Sequence, residues 1–216
     1  TIEAPVLLKI NQYYVLYTAP NVPYIDKQDR FMIPLRAISE LMGAKVNYDA
    51  KSRIGKIELG GKNVEVTLNS KTVIYNGKKV QLDTVPVLKD NQMFVPMRVI
   101  LDGLGVKGDW NQKDQLLTVK DEKFRQSKII SYIEDGSDIN NTPKGIDINT
   151  NDIRPLSYKL TLPGSENKPN QSSITIKAKN ISGKDMAPGV EDLRPSFFTD
   201  TSYQFVNNQK TTTPAV

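Results

Sequence analysis

The sequence predicts an α+β chain: duplicated β-β-α-β units forming a mainly antiparallel sheet with two short helices, followed by a smaller all-β domain. The first observation behind this is an internal repeat. Phe31-Met32-Ile33-Pro34-Leu35-Arg36 runs on to Gly43 and Tyr48, and Met93-Phe94-Val95-Pro96-Met97-Arg98 runs on to Gly105 and Trp110. Pro34 aligns with Pro96, Arg36 with Arg98, Ile38 with Ile100 and Tyr48 with Trp110. Repetition of this kind fixes architecture before any single residue does. The second observation is a helical spacing of apolar residues after each proline. The third is a series of short β-formers separated by turn residues.

Within the repeat region, each copy opens with strand-like sequence. Val6-Leu7-Leu8-Lys9-Ile10 and Tyr13-Tyr14-Val15-Leu16-Tyr17 flank Asn11-Gln12, and Thr72–Tyr75 and Lys79–Leu82 flank Asn76-Gly77. Asn-Gly between β-formers signals a hairpin, because both residues accept positive φ. Phe31–Ile33 and Met93–Val95 are then strands that reach the prolines. Proline suits the first turn of a helix, where its missing N–H costs nothing. Leu35, Ile38, Leu41 and Met42, and Met97, Ile100, Leu101 and Leu104, have the spacing of a helix with one buried face. Gly43 and Gly105 stand where a helix end wants a left-handed residue. Such short helices are marginal alone and must pack on a sheet. Tyr48, an aromatic packing position shared with Trp110, is expected in the core or the sheet. Ile54–Leu59, Lys62–Leu68 and Gln115–Val119 complete the strands, with Val64, Val66 and Leu68 alternating against polar neighbours.

Composition narrows the chemistry. The chain has 216 residues, 38% apolar and 25% charged, which suffices for a folded core. It contains no cysteine and no histidine. Disulfides, thiolate nucleophiles, Ser-His-Asp triads and His- or Cys-ligated metals are therefore ruled out. Carboxylate-only chemistry stays open in principle, but no acid pair stands out by context, and the chain is expected not to be an enzyme and to carry no cofactor. The net charge of +5 is scattered, with no basic stripe interleaved with aromatics, so a nucleic-acid partner is not expected. No apolar run is long enough for a transmembrane helix. The chain begins Thr1-Ile2-Glu3, which reads as a processed form from which leader segments are gone.

The paired Pro-Leu/Met-Arg helices, each followed by Gly, an aromatic and a hairpin, resemble the copper amine oxidase N-terminal domain family, or stalk domain, over about residues 5–121. The resemblance implies a non-catalytic stalk or adaptor in an exported or cell-surface protein of a Gram-positive bacterium. It implies as partner a cell-wall polymer or another surface protein or domain. Asn47-Tyr48-Asp49 also resembles the start of the segment in which amine oxidases build a quinone from tyrosine. That chemistry needs copper held by histidines, and this chain has none.

Six residues are candidates for ligand binding. Tyr13, Tyr14, Tyr17 and Trp110 would stack on sugar rings if they lined one exposed face, giving an alternative function as a carbohydrate- or wall-polymer-binding module. Arg36 and Arg98 are either a pair of anion-binding guanidiniums or helix-start residues that pair within their own repeat.

Beyond the repeat domain (residues 1–121), residues 122–152 read as a linker. Asp121–Ile133 carries a narrow apolar stripe, compatible with a short helix or an extended linker. Glu134–Asp152 is rich in Asx and small residues. Asp147-Ile148-Asn149-Thr150-Asn151 imitates an EF-hand loop, with Asp135 and Asp138 nearby, but Asp152 replaces the required Gly and Tyr158 the bidentate Glu. A solvated loop is the expectation. Residues 153–206 alternate in short segments and suggest an immunoglobulin-like sandwich, with a resemblance to telokin-like domains of bacterial surface proteins. About four strands are too few to close a sandwich of about seven, so the domain is expected to be incomplete. Residues 207–216 read as a flexible tail.

Overall fold

The structure, a computed structural model, describes residues 1–18, 22–125, 146–148, 150–161, 171–196 and 203–211. Along the chain it forms β1 (Ile2–Pro5), β2 (Leu8–Ile10), β3 (Tyr13–Tyr17), β4 (Tyr24–Ile25), β5 (Phe31–Pro34), α1 (Leu35–Met42), β6 (Lys45–Asp49), β7 (Ile54–Leu59), β8 (Lys62–Thr67), β9 (Thr72–Tyr75) and β10 (Lys78–Gln81). There follow β11 (Val87–Lys89), β12 (Gln92–Pro96), α2 (Met97–Leu104), β13 (Lys107–Asn111), β14 (Leu116–Lys120), α3 (Glu122–Arg125), β15 (Ile146–Ile148), β16 (Ile153–Thr161), β17 (Ser173–Asn180), β18 (Glu191–Ser196) and β19 (Tyr203–Thr211). The chain is thus mostly β with a few short helices and several sheets, which is compatible with an α+β class. It divides into two compact units. One is Asn21–Asp109 with Val119–Ser127; the other is Thr1–Pro20 with Trp110–Thr118 and Lys128–Val216.

The unit built on Asn21–Asp109 contains an antiparallel five-stranded sheet in the order β10-β9-β8-β7-β6 and a four-stranded sheet in the order β11-β12-β5-β4. Ile57, Val64, Val66 and Val73 are fully buried. Each such side chain contributes about 1.5–3 kcal/mol of transfer free energy. Leu35, Leu41 and Met42 of α1 and Met97, Ile100, Leu101 and Leu104 of α2 are also buried, which is the helical face expected from their spacing. Two glycines set how closely the layers approach. A Cβ on Gly103 of α2 would collide with Val64 and come within 2.7 Å of the Tyr75 ring. A Cβ on Gly55 would collide with Leu35 of α1.

α2 ends where the sequence predicts. Gly105 takes φ 67°, its N–H donates to Asp102 O at 3.3 Å, and Val106 N–H donates to Leu101 O at 2.9 Å. These two bonds form a Schellman closure. Lys62 Nζ adds a donor to Leu104 O at 3.2 Å, placing a cation at the negative end of the helix. The Asn76-Gly77 turn has φ 49° and 82°, and joins β9 to β10 in direct register, Tyr75 opposite Lys78. The prolines differ slightly from expectation: Pro34 closes β5, and Pro96 precedes α2 in extended backbone (φ −60°, ψ 130°), so each ends a strand rather than occupying the first helical turn. A strand end is a place where a missing N–H breaks no ladder.

In the other unit, one sheet runs β13-β14-β2-β3-β19-β15, with β18 also paired to β19, and a second runs β1-β16-β17. β3 lies between β2 and β19, and all five of its residues are buried. Phe205 and Val206 of β19 are fully buried, and the Phe205 ring meets Tyr13 edge-on at 5.9 Å. Val6 N–H donates to Leu156 O at 2.9 Å, and the buried Tyr158 hydroxyl donates to Tyr17 O at 2.5 Å. Burial drives the Tyr158 pKa up.

The pairings cross the boundaries read from sequence at 121 and 153. Ile2 to Pro5 pair with Leu160 to Ser157, and Tyr17 to Tyr14 pair with Tyr203 to Val206. β19 runs through Thr211 against β18 and β15, so residues 207–211 are strand where a tail was expected. β1 was not anticipated either. The partner of β1 is distant in the chain, and short-range periodicity carries no record of it; residues 207–211 pair both with the remote β15 and with β18, the strand just before them. The linker helix is seen as the single turn α3; residues 126–133 of that expectation lie outside the described residues.

Candidate functional site

The six candidate residues do not form one surface. Tyr13, Tyr14 and Tyr17 are 3%, 1% and 3% exposed. They are packing residues of a central strand and not a stacking platform for sugar rings. That corrects the expectation of an exposed aromatic face. Trp110 is half-buried on β13, its Nε1–H donating to Gln112 Oε1 at 2.8 Å. Tyr48 takes the second of its two expected places, the sheet rather than the core. It sits in the sheet but is 40% exposed, because its strand β6 is an edge of the five-stranded sheet.

Arg36 and Arg98 both lie exposed near the starts of their helices. Arg98 Nε is 3.8 Å from Asp102 Oδ2, an i,i+4 pair within its own helix. Exposed pairs of this kind contribute about 0.3–0.5 kcal/mol.

Sequence reading missed a polar cluster around Tyr14, because its members are far apart in the chain. Lys9 Nζ donates to Asn151 Oδ1 at 2.5 Å and stands 4.9 Å from the Tyr14 ring centroid. The Tyr14 hydroxyl is 3.4 Å from the same Asn151 oxygen. Arg154 grips Asp114 twice, through Nη1 to Oδ1 at 2.8 Å and Nη2 to the backbone carbonyl at 2.5 Å. Burial lowers the Lys9 pKa. Burial raises that of Tyr14, with the Arg154 charge opposing. The cluster has two cations against one carboxylate, and it ties the β2–β3 hairpin to the start of β16.

The Asx-rich loop falls mostly outside the described residues, including Asp135, Asp138 and Asn149. Of its EF-hand imitation, Asp147 lies opposite Lys210 in the β15–β19 pair, and the Asn151 oxygen already accepts from Lys9. The neighbouring Thr150 hydroxyl donates to the Glu191 carboxylate.

The two short helices capping a mostly β scaffold, with a duplicated Pro-Leu/Met-Arg motif spent on strand ends and helix starts, define the class of protein. Residues 9–119, just over half of the chain, match the family model of the copper amine oxidase N-terminal domain, and the chain belongs to that family. This domain is a non-catalytic module. No curated protein matches the chain in sequence.

The copper and tyrosine-derived quinone suggested by the family name do not fit this chain. Imidazole ligands are absent from the sequence, and among the described residues no group of three or more Asp and Glu side chains is gathered tightly enough to hold a metal ion. Tyr48 is followed by Asp49, whose carboxylate is committed to the next turn, accepting from Lys51 N–H at 2.9 Å and Ser52 Oγ at 2.8 Å.

Proposed function

We propose that the chain is a non-catalytic structural and interaction module of an exported or cell-surface protein: a stalk or adaptor that holds its partner at the surface of a Gram-positive cell. The partner is a cell-wall polymer or another surface protein. The observation that carries this reading is membership of a non-catalytic domain family across residues 9–119. In the motif that defines the resemblance, Gly105 closes a helix and Leu35 and Met97 are buried, while Arg36 and Arg98 stand exposed, which supports a folding role for most of it.

We also infer that the scaffold arose by duplication. Strand order supports this: each post-helix hairpin shares a sheet with the opening strands of the other copy, β6-β7 with β9-β10 and β13-β14 with β2-β3. In the first sheet β10 follows β9; in the second β19 follows β3. The C-terminal segment places β19 on the side of β3 away from β2. Its strands share sheets with β1 and β3, which favours a completing role over an independent sandwich.

Fractionation of the producing cells tests the proposal. The protein is expected in the wall or medium fraction; recovery from the cytosol alone would sink it.

A further inference from the structure

β6 is the outermost strand of the five-stranded sheet, and among the described residues no strand pairs with its other side. An edge of this kind presents unpaired N–H and C=O groups, which template pairing with another chain. The strand reads Lys45-Val46-Asn47-Tyr48-Asp49, and every residue except the half-buried Val46 is exposed. Tyr48, at 40%, is one of three large hydrophobic side chains left exposed among the described residues. Lys45, Asn47 and Asp49 share one face of the sheet, and Val46 and Tyr48 share the other. Val46 lies opposite the fully buried Ile57, so its face is the core face.

Laid antiparallel against itself about Asn47, this strand is self-complementary. Lys45 meets Asp49 of the second molecule and Asp49 meets its Lys45, while Val46 meets Tyr48 and Asn47 meets Asn47. Opposite charges and aromatic–β-branched pairs at directly opposite positions stabilise a sheet. Two facing amides each bring donors and an acceptor. Within its own sheet Lys45 already stands opposite Glu58 and Asn47 opposite Lys56, whose Nζ lies 3.4 Å from Glu65 Oε1. A second β6 therefore continues the alternation of sign across that face. The Asp49 carboxylate accepts from Lys51 N–H and Ser52 Oγ, which holds it at the strand end with acceptor sites to spare. Other edges lack this symmetry. β13, the counterpart of β6 in the second repeat, has Asp109 where β6 has Asn47, so the same pairing would set like charges directly opposite. β10 and β17 carry lysines and no acid, the usual way of blunting an edge.

We propose that β6 pairs with β6 of a second molecule of this chain, antiparallel about a two-fold axis at Asn47, joining the two five-stranded sheets into one continuous sheet. Such an interface is isologous and closes at two subunits. Tyr48, exposed in one molecule, is covered by Val46 of the other. Each new strand pair is backed by the four strands behind β6, so it does not depend on the marginal stability of an isolated two-stranded ribbon. A joint of one strand pair is nevertheless smaller than the interface of a tight complex, and the dimer is accordingly weak and concentration-dependent. The inference goes beyond the surface-module reading and does not rest on it.

Sedimentation equilibrium of the full chain over about 10–500 μM tests this, the range in which so small an interface is expected to titrate. The parent is expected to pass from one chain to two and no further. K45D and D49K each turn both opposite-charge pairs into like-charge pairs, and each is expected to weaken the dimer roughly 10-fold or more. An equimolar mixture of the two is expected to pair again, to within about threefold of the parent, because one variant then presents only acids and the other only lysines at the charged positions. Loss of fold in either variant could not give that rescue. N47D, which sets like charges on the axis and leaves the strand ends alone, is expected to weaken the dimer as well. Four results would each overturn the proposal. They are a parent that stays monomeric throughout, growth beyond two chains as head-to-tail pairing of β6 with β13 would give, undiminished association in K45D and N47D, and a mixture no tighter than its components. None of them bears on where the cell places the protein, so the surface reading stands or falls separately.

Discussion

Two residues show how single side chains are constrained here. Gly103 lies where α2 meets β8 and β9, and any Cβ would collide with Val64 and press on Tyr75. Gly103→Val should destabilise the protein by about 1–3 kcal/mol, the usual cost of overpacking, read as a lowered urea midpoint at unchanged slope. Asp26 shows the electrostatic side. Burial alone would push its carboxyl up, but the Arg30 N–H and guanidinium and the Gln28 N–H outweigh it and hold the pKa below the usual carboxylate value. Arg30 Nε is 2.8 Å away, with both side chains mostly covered. A depressed folded pKa gives stability that is whole above the unfolded value of about 3.9 and is lost as pH falls through the folded value. Asp26→Asn should therefore cost about 1–2 kcal/mol at neutral pH, with the gap to the parent closing below about pH 4 in acid titrations. Asp26 gives no sign in the sequence of this role, because its partner Arg30 is identifiable only once the turn between them is formed.

Elements that depend on nearby residues were legible in the sequence; those that depend on distant ones were not. The Asn76-Gly77 hairpin, the buried faces of α1 and α2, and the Gly105 closure follow from turn chemistry and from periodicity within one turn or pair. The pairing of β3 with β19 spans most of the chain, and nothing local in Tyr13–Tyr17 distinguishes a central strand from an edge. The same gap keeps the sequence from deciding whether the tyrosines are exposed or buried, and it hides the cluster of Lys9, Asn151, Arg154 and Asp114. β19 is thus the element whose loss should be felt furthest away. A variant truncated after Asp121 would leave the ladder of β3 unpaired on one side and uncover Tyr13 where Phe205 now packs. Hydrogen exchange should then show β3 amides losing protection while β8 and β9 keep theirs. Protected β3 amides in the truncated variant would contradict a completing role for β19.

For the whole molecule, the family accounts for residues 9–119, and the remaining strands are built into sheets with the first seventeen residues. The absence of histidine and cysteine was legible at once and closed most catalytic routes. The central claim is that the chain acts by binding at a cell surface and not by catalysis. It is tested most directly by co-sedimentation of the purified chain with intact producing cells, which carry both wall polymers and surface proteins. The account predicts saturable pelleting that weakens as salt rises; a chain that stays in the supernatant at every salt concentration would contradict it.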